Sequence, residues 1–217
     1  MALEHARFNM IEQQIRPWDV LDQDILSLMS RLPRDRFVSE TYQHLAYADT
    51  AIPIGMEQVM MQPKIEARML QALELHPTDR ALEIGTGSGF VTALLAKLTL
   101  QVRSIEIHAV LTEMAAQRLQ KLGIKNVELE TGDAARGWQD KHLYDVIAIT
   151  GSLPVLPDAF KKMMNRGGRL FVILGQAPVM EAVLIRRTGE NEWSQESLFE
   201  TLLPPLINAE TSDTFVF

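Results

Sequence analysis

The stretch Leu82-Glu83-Ile84-Gly85-Thr86-Gly87-Ser88-Gly89 places three alternate glycines where a β-rich run gives way to a helical pattern. Glycine tolerates positive φ and lets the backbone come close to a ligand. Three of them at the carboxyl edge of a parallel sheet therefore read as a binding turn. A plain strand-to-helix turn needs only one or two. The spacing narrows the ligand further. Dinucleotide loops read G-x-G-x-x-G and P-loops end in G-K-[ST], whereas this turn is G-x-G-x-G, preceded by the acid Glu83 and lacking the lysine. A diphosphate is not the expected cargo.

On the C-terminal side of this turn, short β-rich runs alternate with helical patterns, the signature of βαβ units and a parallel sheet. The runs are Ala81 to Ile84, Val102 to Ile107, Val127 to Glu130, Tyr144 to Thr150 and Arg169 to Leu174. Helical patterns occupy Val91 to Leu98, Leu111 to Leu122 with Gly123 as a stop, and Asp158 to Met164. The tail changes character. Ala182 to Arg187, a Gly189-Glu190-Asn191 turn and Trp193 to Leu203 predict an antiparallel hairpin, with Phe215 to Phe217 as a last edge strand.

Upstream, Ala6 to Ile15 and Leu21 to Leu32 predict amphipathic helices broken by Pro17. Residues 33 to 62 read as an irregular connection, long enough to be functional, and Lys64 to Leu75 as another helix. The expected fold is α/β: a doubly wound, mostly parallel sheet with an antiparallel C-terminal hairpin. A helical cap with a substrate-side loop is expected over residues 1–77 and the binding domain over 78–217.

Glu106 lies seventeen residues past Gly89 and ends the run Val102-Arg103-Ser104-Ile105-Glu106. A carboxylate there can accept both hydroxyls of a ribose. Gly132-Asp133-Ala134 brings a second carboxylate to the same edge, suited to an exocyclic adenine amine; the same aspartate would also serve as a helix cap or turn residue.

The 217 residues carry 21 Lys+Arg against 28 Asp+Glu, a net charge of -7, which lacks the basic footprint of a nucleic-acid binder. Apolar residues at 47% and charged ones at 23% indicate an ordinary globular chain. Zero cysteines exclude disulfides, thiolate metal sites and cysteine nucleophiles, and fit a reducing compartment. The N-terminus carries charges from Glu4 onward and lacks the apolar stretch of a secretory signal, and no window approaches the ~18 apolar residues of a spanning helix. A soluble, cytoplasmic protein without membrane partners is expected. His5, His44, His76, His108 and His142 are scattered, so no metal site is expected.

Acid-x-G-x-G-x-G, the strand-end acid, Gly132-Asp133-Ala134, Tyr144-Asp145-Val146-Ile147 and Arg166-Gly167-Gly168-Arg169-Leu170 together resemble the class I S-adenosylmethionine-dependent methyltransferases over roughly residues 78 to 175. The resemblance implies a Rossmann-like sheet and S-adenosyl-L-methionine as cofactor, held by Glu83, Gly85, Thr86, Gly87, Ser88, Gly89, Glu106, Asp133, Ala134 and Thr150. Further motifs lie upstream: Leu32-Pro33-Arg34-Asp35-Arg36-Phe37-Val38, Ala46-Tyr47-Ala48-Asp49, Ile52-Pro53-Ile54-Gly55 and Gln62-Pro63-Lys64-Ile65-Glu66-Ala67-Arg68-Met69. Within the class, these make the chain similar to the protein-L-isoaspartate O-methyltransferase family. That family methylates the α-carboxylate of L-isoaspartyl residues in aged proteins, which begins repair through a succinimide. The resemblance thus implies an O-methyltransferase with a protein or peptide partner.

The chain departs from that family on the substrate side. Members carry Thr-Ile-Ser just ahead of the x-Pro that corresponds to Gln62-Pro63, with the serine hydroxyl at the substrate carboxylate; here the segment reads Val59-Met60-Met61. Met61 thus occupies the serine position. Beyond the fourth β-run the family's small-residue segment becomes Gly151-Ser152-Leu153-Pro154, where Ser152 could supply a hydroxyl. Met56, Met60, Met61 and Met69 crowd one stretch, either as adaptable packing over the cofactor or as the lining of a pocket for a more apolar acceptor. Two alternatives follow: methyl transfer to a small-molecule acceptor, or a non-catalytic cofactor-binding protein whose N-terminal helices meet a partner. Those helices equally suit packing on the domain or a homodimer contact.

Overall fold

In a computed structural model of the chain, residues 2–210 are described; Phe215 to Phe217, expected as an edge strand, lie outside them. Helix α1 (Ala2–Asn9) runs into a π-helical stretch (Met10–Ile15) and a 3-10 turn (Arg16–Trp18). Pro17 closes that run as expected, with Asp19 left-handed at φ 57°. Asp22 then caps α2 (Gln23–Arg31), accepting from the N–H groups of Asp24 and Ile25 at 2.9 and 3.2 Å.

The segment expected to be an irregular connection is more ordered than its sequence advertises. It holds 3-10 turns at Arg34–Phe37 and Glu40–Leu45, then the antiparallel strands β1 (Ile52–Gly55) and β2 (Gln58–Met60). Their turn sets Gly55, Met56 and Glu57 all at positive φ. Hairpin turns require that conformation, but methionine and glutamate rarely adopt it, so the turn is invisible to residue preferences. Helix α3 (Pro63–Leu73) follows, with proline in its first turn, where an N–H would be unbonded anyway.

The remainder alternates as expected: β3 (Arg80–Ile84), α4 (Phe90–Leu98), β4 (Gln101–Glu106), α5 (Ala109–Lys121), β5 (Val127–Thr131), β6 (Tyr144–Leu153), α6 (Asp158–Lys162), β7 (Met164–Gln176), β8 (Val179–Arg187) and β9 (Trp193–Glu200). These strands form one seven-stranded sheet in the order β5-β4-β3-β6-β7-β8-β9. The first five pair in parallel, and β8 and β9 continue antiparallel from β7. All residues of β3 beyond Arg80 are buried, the mark of a central parallel strand covered on both faces.

Two apolar clusters sandwich the sheet. One joins α2, α3 and α4 to residues such as Val102, Val146 and Phe171; the other gathers Phe160, Tyr144 and Ile147 beneath α6. Residues of the N-terminal cap, among them Met29, Phe37 and Leu70, belong to the first cluster, so cap and sheet share one core. Among the described residues, no helix is long and apolar enough to cross a membrane.

Candidate active site

The chain leaves β3 for β4 and β5 on one side, then returns to β6 on the other. The carboxyl ends of β3 and β6 therefore diverge around a crevice, the place where open α/β sheets bind ligands. Gly85 directly follows β3, and Thr150 faces it from β6. A Cβ on Gly85 would stand 2.5 Å from Thr150 Oγ1, and its φ of 97° suits glycine alone. Thr150 Oγ1 bonds the carbonyls of Ile84 and Gly85 at 2.9 and 2.5 Å, which fixes the turn from across the crevice.

Gly87 N–H donates to Glu106 Oε2 at 2.8 Å, and His108 N–H donates to Glu106 Oε1 at 3.0 Å. The strand-end acid is thereby locked in place with lone pairs left for a ligand. Gly89, at φ 84°, opens α4, and a Cβ there would crowd Ala115 of α5 at 3.0 Å. Asp133 takes the turn role and stands at the crevice. Its Oδ1 accepts the Ala135 N–H at 3.0 Å, as a turn residue does, and the residue also lines the crevice beside Ala134. With Gly85, Gly87, Glu106 and Thr150 they line one crevice.

Three residues of the glycine stretch act mainly as framework. Thr86 Oγ1 bonds Ser104 Oγ at 2.6 Å, and Ser88 Oγ accepts the Phe90 N–H at 3.2 Å. Glu83 lies under the turn, wholly buried, with Oε2 accepting from Thr92 and Ser104 hydroxyls at 2.5 Å each. Burial pushes its carboxyl up to about 8, against the opposing effect of those hydroxyls.

The cavity's roof was not legible in the sequence. After β9 the chain crosses the crevice as Leu203-Pro204-Pro205-Leu206-Ile207, all lining it. Ser152 clamps this strap: its N–H donates to Pro204 O at 3.0 Å, its carbonyl accepts from Leu206 N–H at 2.9 Å, and its hydroxyl donates to Leu203 O at 2.8 Å. Asn208 reaches further, donating to Asp133 Oδ2 at 2.8 Å. The Pro204-Pro205 pair signalled only that β structure stops. On the opposite wall, Ile54 of the β1–β2 hairpin would stand 3.1 Å from a Cβ on Gly87.

Met61 is buried, and its carbonyl accepts from Arg34 Nη2. Arg34 is itself wholly buried, paired through Nη1 with Glu66 and stacked on Phe90 with its guanidinium carbon 4.8 Å from the ring centroid. Met60 and Met69 are core residues, whereas Met56 at the hairpin tip is exposed. Met61 and Ser152 are not brought together by a shared bond: the Ser152 hydroxyl holds the strap, and Met61 gives its backbone carbonyl to Arg34 and lines the space beside the glycine turn.

The family described as protein-L-isoaspartate(D-aspartate) O-methyltransferase (PCMT) matches residues 5–211, cap and sheet alike. The chain belongs to this family. A Pelobacter propionicus protein-L-isoaspartate O-methyltransferase 2 is 38% identical over 208 residues, spanning 95% of this chain and 92% of that protein. A Yersinia pestis protein-L-isoaspartate O-methyltransferase is 38% identical over 206 residues, spanning 95% and 98%. Among solved structures, a protein-L-isoaspartate O-methyltransferase superposes with TM-score 0.80 at 23% identity; it covers 92% of this chain, which spans only 65% of that one. A Plasmodium falciparum β-aspartate methyltransferase (PCMT) in complex with S-adenosyl-L-homocysteine superposes with TM-score 0.77 at 19% identity, covering 94% and 97%. At those identities the two structures establish the shared fold.

For a protein-L-isoaspartate O-methyltransferase family member, the crevice fits an adenosyl sulfonium cofactor on its own terms. The floor is glycine where any Cβ would intrude, and two carboxylates stand at the cleft wall with acceptor capacity for the hydroxyls and amine of a nucleoside.

Proposed function

We propose that this protein methylates the α-carboxylate of L-isoaspartyl residues in damaged proteins, using S-adenosyl-L-methionine. The observation that carries this reading is that one family match runs through the cap as well as the sheet, so the acceptor side and the cofactor side share one origin. The cofactor supplies an electrophilic methyl on a sulfonium. Glu106 holds the ribose hydroxyls, Asp133 and Ala134 the adenine edge, and Gly85 to Gly89 with Thr150 the approach between them. Glu83 is the buried brace of that turn.

An acceptor carboxylate is already ionised near neutral pH, so no side chain has to remove a proton. The chain's own contribution is positioning and exclusion of water, by the Leu203–Ile207 strap on one side and the cap on the other. Residues 1–77 act as the acceptor-side cap over a cofactor domain of residues 78–217. The same reading places the protein in the cytoplasm, acting on polypeptides and not on nucleic acid or membranes.

A second reading has a specific observation in its favour: the segment facing the glycine turn is Val59-Met60-Met61, without a side-chain hydroxyl, which suits a smaller, more apolar acceptor. One assay separates the two. With labelled S-adenosylmethionine, an isoaspartyl peptide becomes labelled and its aspartyl twin stays at background. Equal background on both peptides overturns the repair reading. In the same assay Met61→Ser lowers the KM for the isoaspartyl peptide about tenfold, the scale of one charge-assisted hydrogen bond.

A further inference from the structure

The strap over the crevice makes one polar contact that the roles given above leave unused. Asn208 stands at its far end in left-handed backbone, φ 64°, and its Nδ2 donates to Asp133 Oδ2 at 2.8 Å. The other oxygen of that carboxylate accepts the Ala135 N–H at 3.0 Å, from its own loop. Each oxygen thus carries a protein donor. The pair of bonds restrains rotation of the carboxylate and still leaves lone pairs on both oxygens for a ligand.

Of the two partners, Asn208 is the fixed one. Ser152 holds the strap at Leu203, Pro204 and Leu206 through its hydroxyl and both backbone groups. Beyond that point the Ala209 N–H donates to Leu206 O at 3.1 Å, and Ala209 packs against the second apolar cluster, as do Leu206 and Trp138. Trp138 in turn lies against Gly132, where a Cβ would meet its ring at 2.7 Å. The strap therefore keeps its course without the Asn208 amide. Asp133 is exposed, and without that amide it keeps one tether, to Ala135, and turns about it.

We propose that Asn208 is a positioning residue: it holds Asp133 as a fixed acceptor and so makes the site select a 6-amino purine over a 6-oxo purine. This rests on the adenine role given to Asp133 above. The exocyclic amine of adenine donates hydrogen bonds and an ionised carboxylate only accepts them, so the two are complementary. A 6-oxo purine turns a carbonyl to the same place, acceptor against acceptor. A carboxylate free to turn about one tether escapes that opposition, whereas one held at both oxygens does not. Rejection of the wrong ligand by an opposed polar group is therefore as strong as the group is firmly held. Left-handed backbone alone calls for glycine, asparagine or aspartate, so exchanges among these separate the backbone from the amide.

Two ligands isolate this effect. S-adenosylhomocysteine and its deaminated analogue S-inosylhomocysteine differ at C6, an amine in one and a carbonyl in the other. By calorimetry the unaltered protein binds the first more tightly. Asn208→Gly lowers the ratio of the two affinities about three- to tenfold, the scale of one hydrogen bond, chiefly through weaker S-adenosylhomocysteine binding. Asn208→Asp, which sets an acceptor against Asp133, lowers it at least as far. In an Asp133→Ala background Asn208→Gly leaves the ratio unchanged, because no carboxylate is left to position. An unchanged ratio in Asn208→Gly alone, or equal weakening toward both ligands as a merely structural clasp would give, overturns the role of Asn208 while Asp133 keeps the adenine. A ratio that Asp133→Ala does not alter overturns the adenine role as well.

Discussion

The two halves of the crevice are built differently. The nucleoside half is assembled from one turn and two strand ends: Gly85 to Gly89, Glu106 and Asp133 reach one edge because consecutive parallel strands end there. The other half is assembled from pieces remote in the chain: Arg34, the Val59–Met61 segment and Glu66. The first is dictated by topology and repeats wherever the topology does. The second depends on side chains meeting across long separations, so a few substitutions re-specify it while the fold persists. The Val59-Met60-Met61 segment stands in that replaceable half.

The largest expected effect lies in the nucleoside half. Gly85→Ala forces a side chain into positive φ and onto a threonine hydroxyl already committed to two carbonyls. S-adenosylhomocysteine affinity, read by calorimetry, falls by more than about a hundredfold, since the strain of a left-handed non-glycine residue adds to the displaced wall. Near-wild-type affinity would break the contrast, because the turn would then be as tolerant as the acceptor side. Glu106→Ala comes next. It removes the acceptor of the Gly87 and His108 N–H groups along with the proposed ribose contacts, and weakens binding roughly 10- to 150-fold, about 1.5–3 kcal/mol. Unchanged affinity would retire the ribose role.

The smallest effect sharpens the boundary between the halves, where Glu83 and Glu66 lie. Burial raises both carboxyls, to about 8 and about 7, from an ordinary 4.5. The folded protein therefore holds these protons more tightly than the unfolded chain, and the stability they contribute is present at low pH and lost as pH rises through that window. Between pH 5 and 8.5 the melting midpoint of the free protein falls, on the order of 2–8 °C for about 1–2 kcal/mol. Glu83→Gln flattens the upper part of that slope. An unchanged slope in this variant would mean that Glu83 is ionised in the native state.

Most of the sheet was legible because its signals are local. The β-runs, the helices between them and the C-terminal hairpin follow from periodicity and stop residues, and Glu106 follows from its distance past a glycine turn. The hairpin at 52–60 was hidden because Met56 and Glu57 hold a conformation their side chains disfavour. The strap was hidden because it is neither helix nor strand; its backbone bonds to Ser152 arise only once β6 exists. Glu66 looked like an ordinary polar residue near a helix start, where acids are common. Nothing short of the fold reveals that it is buried against Arg34.

Phe90 is the first residue of α4, directly after Gly89, and it carries Arg34 at 4.8 Å and Phe37 at 5.2 Å between ring centroids, both from the cap. The cap therefore leans on the same short lever that ends the glycine turn. Whatever settles against the cap and whatever settles against the turn share that lever, so their free energies are linked. A damaged polypeptide that alters cofactor affinity by some factor must have its own affinity altered by the same factor in return. Product release then becomes a property of the pair of ligands, set by how much of their coupling survives once the methyl has moved.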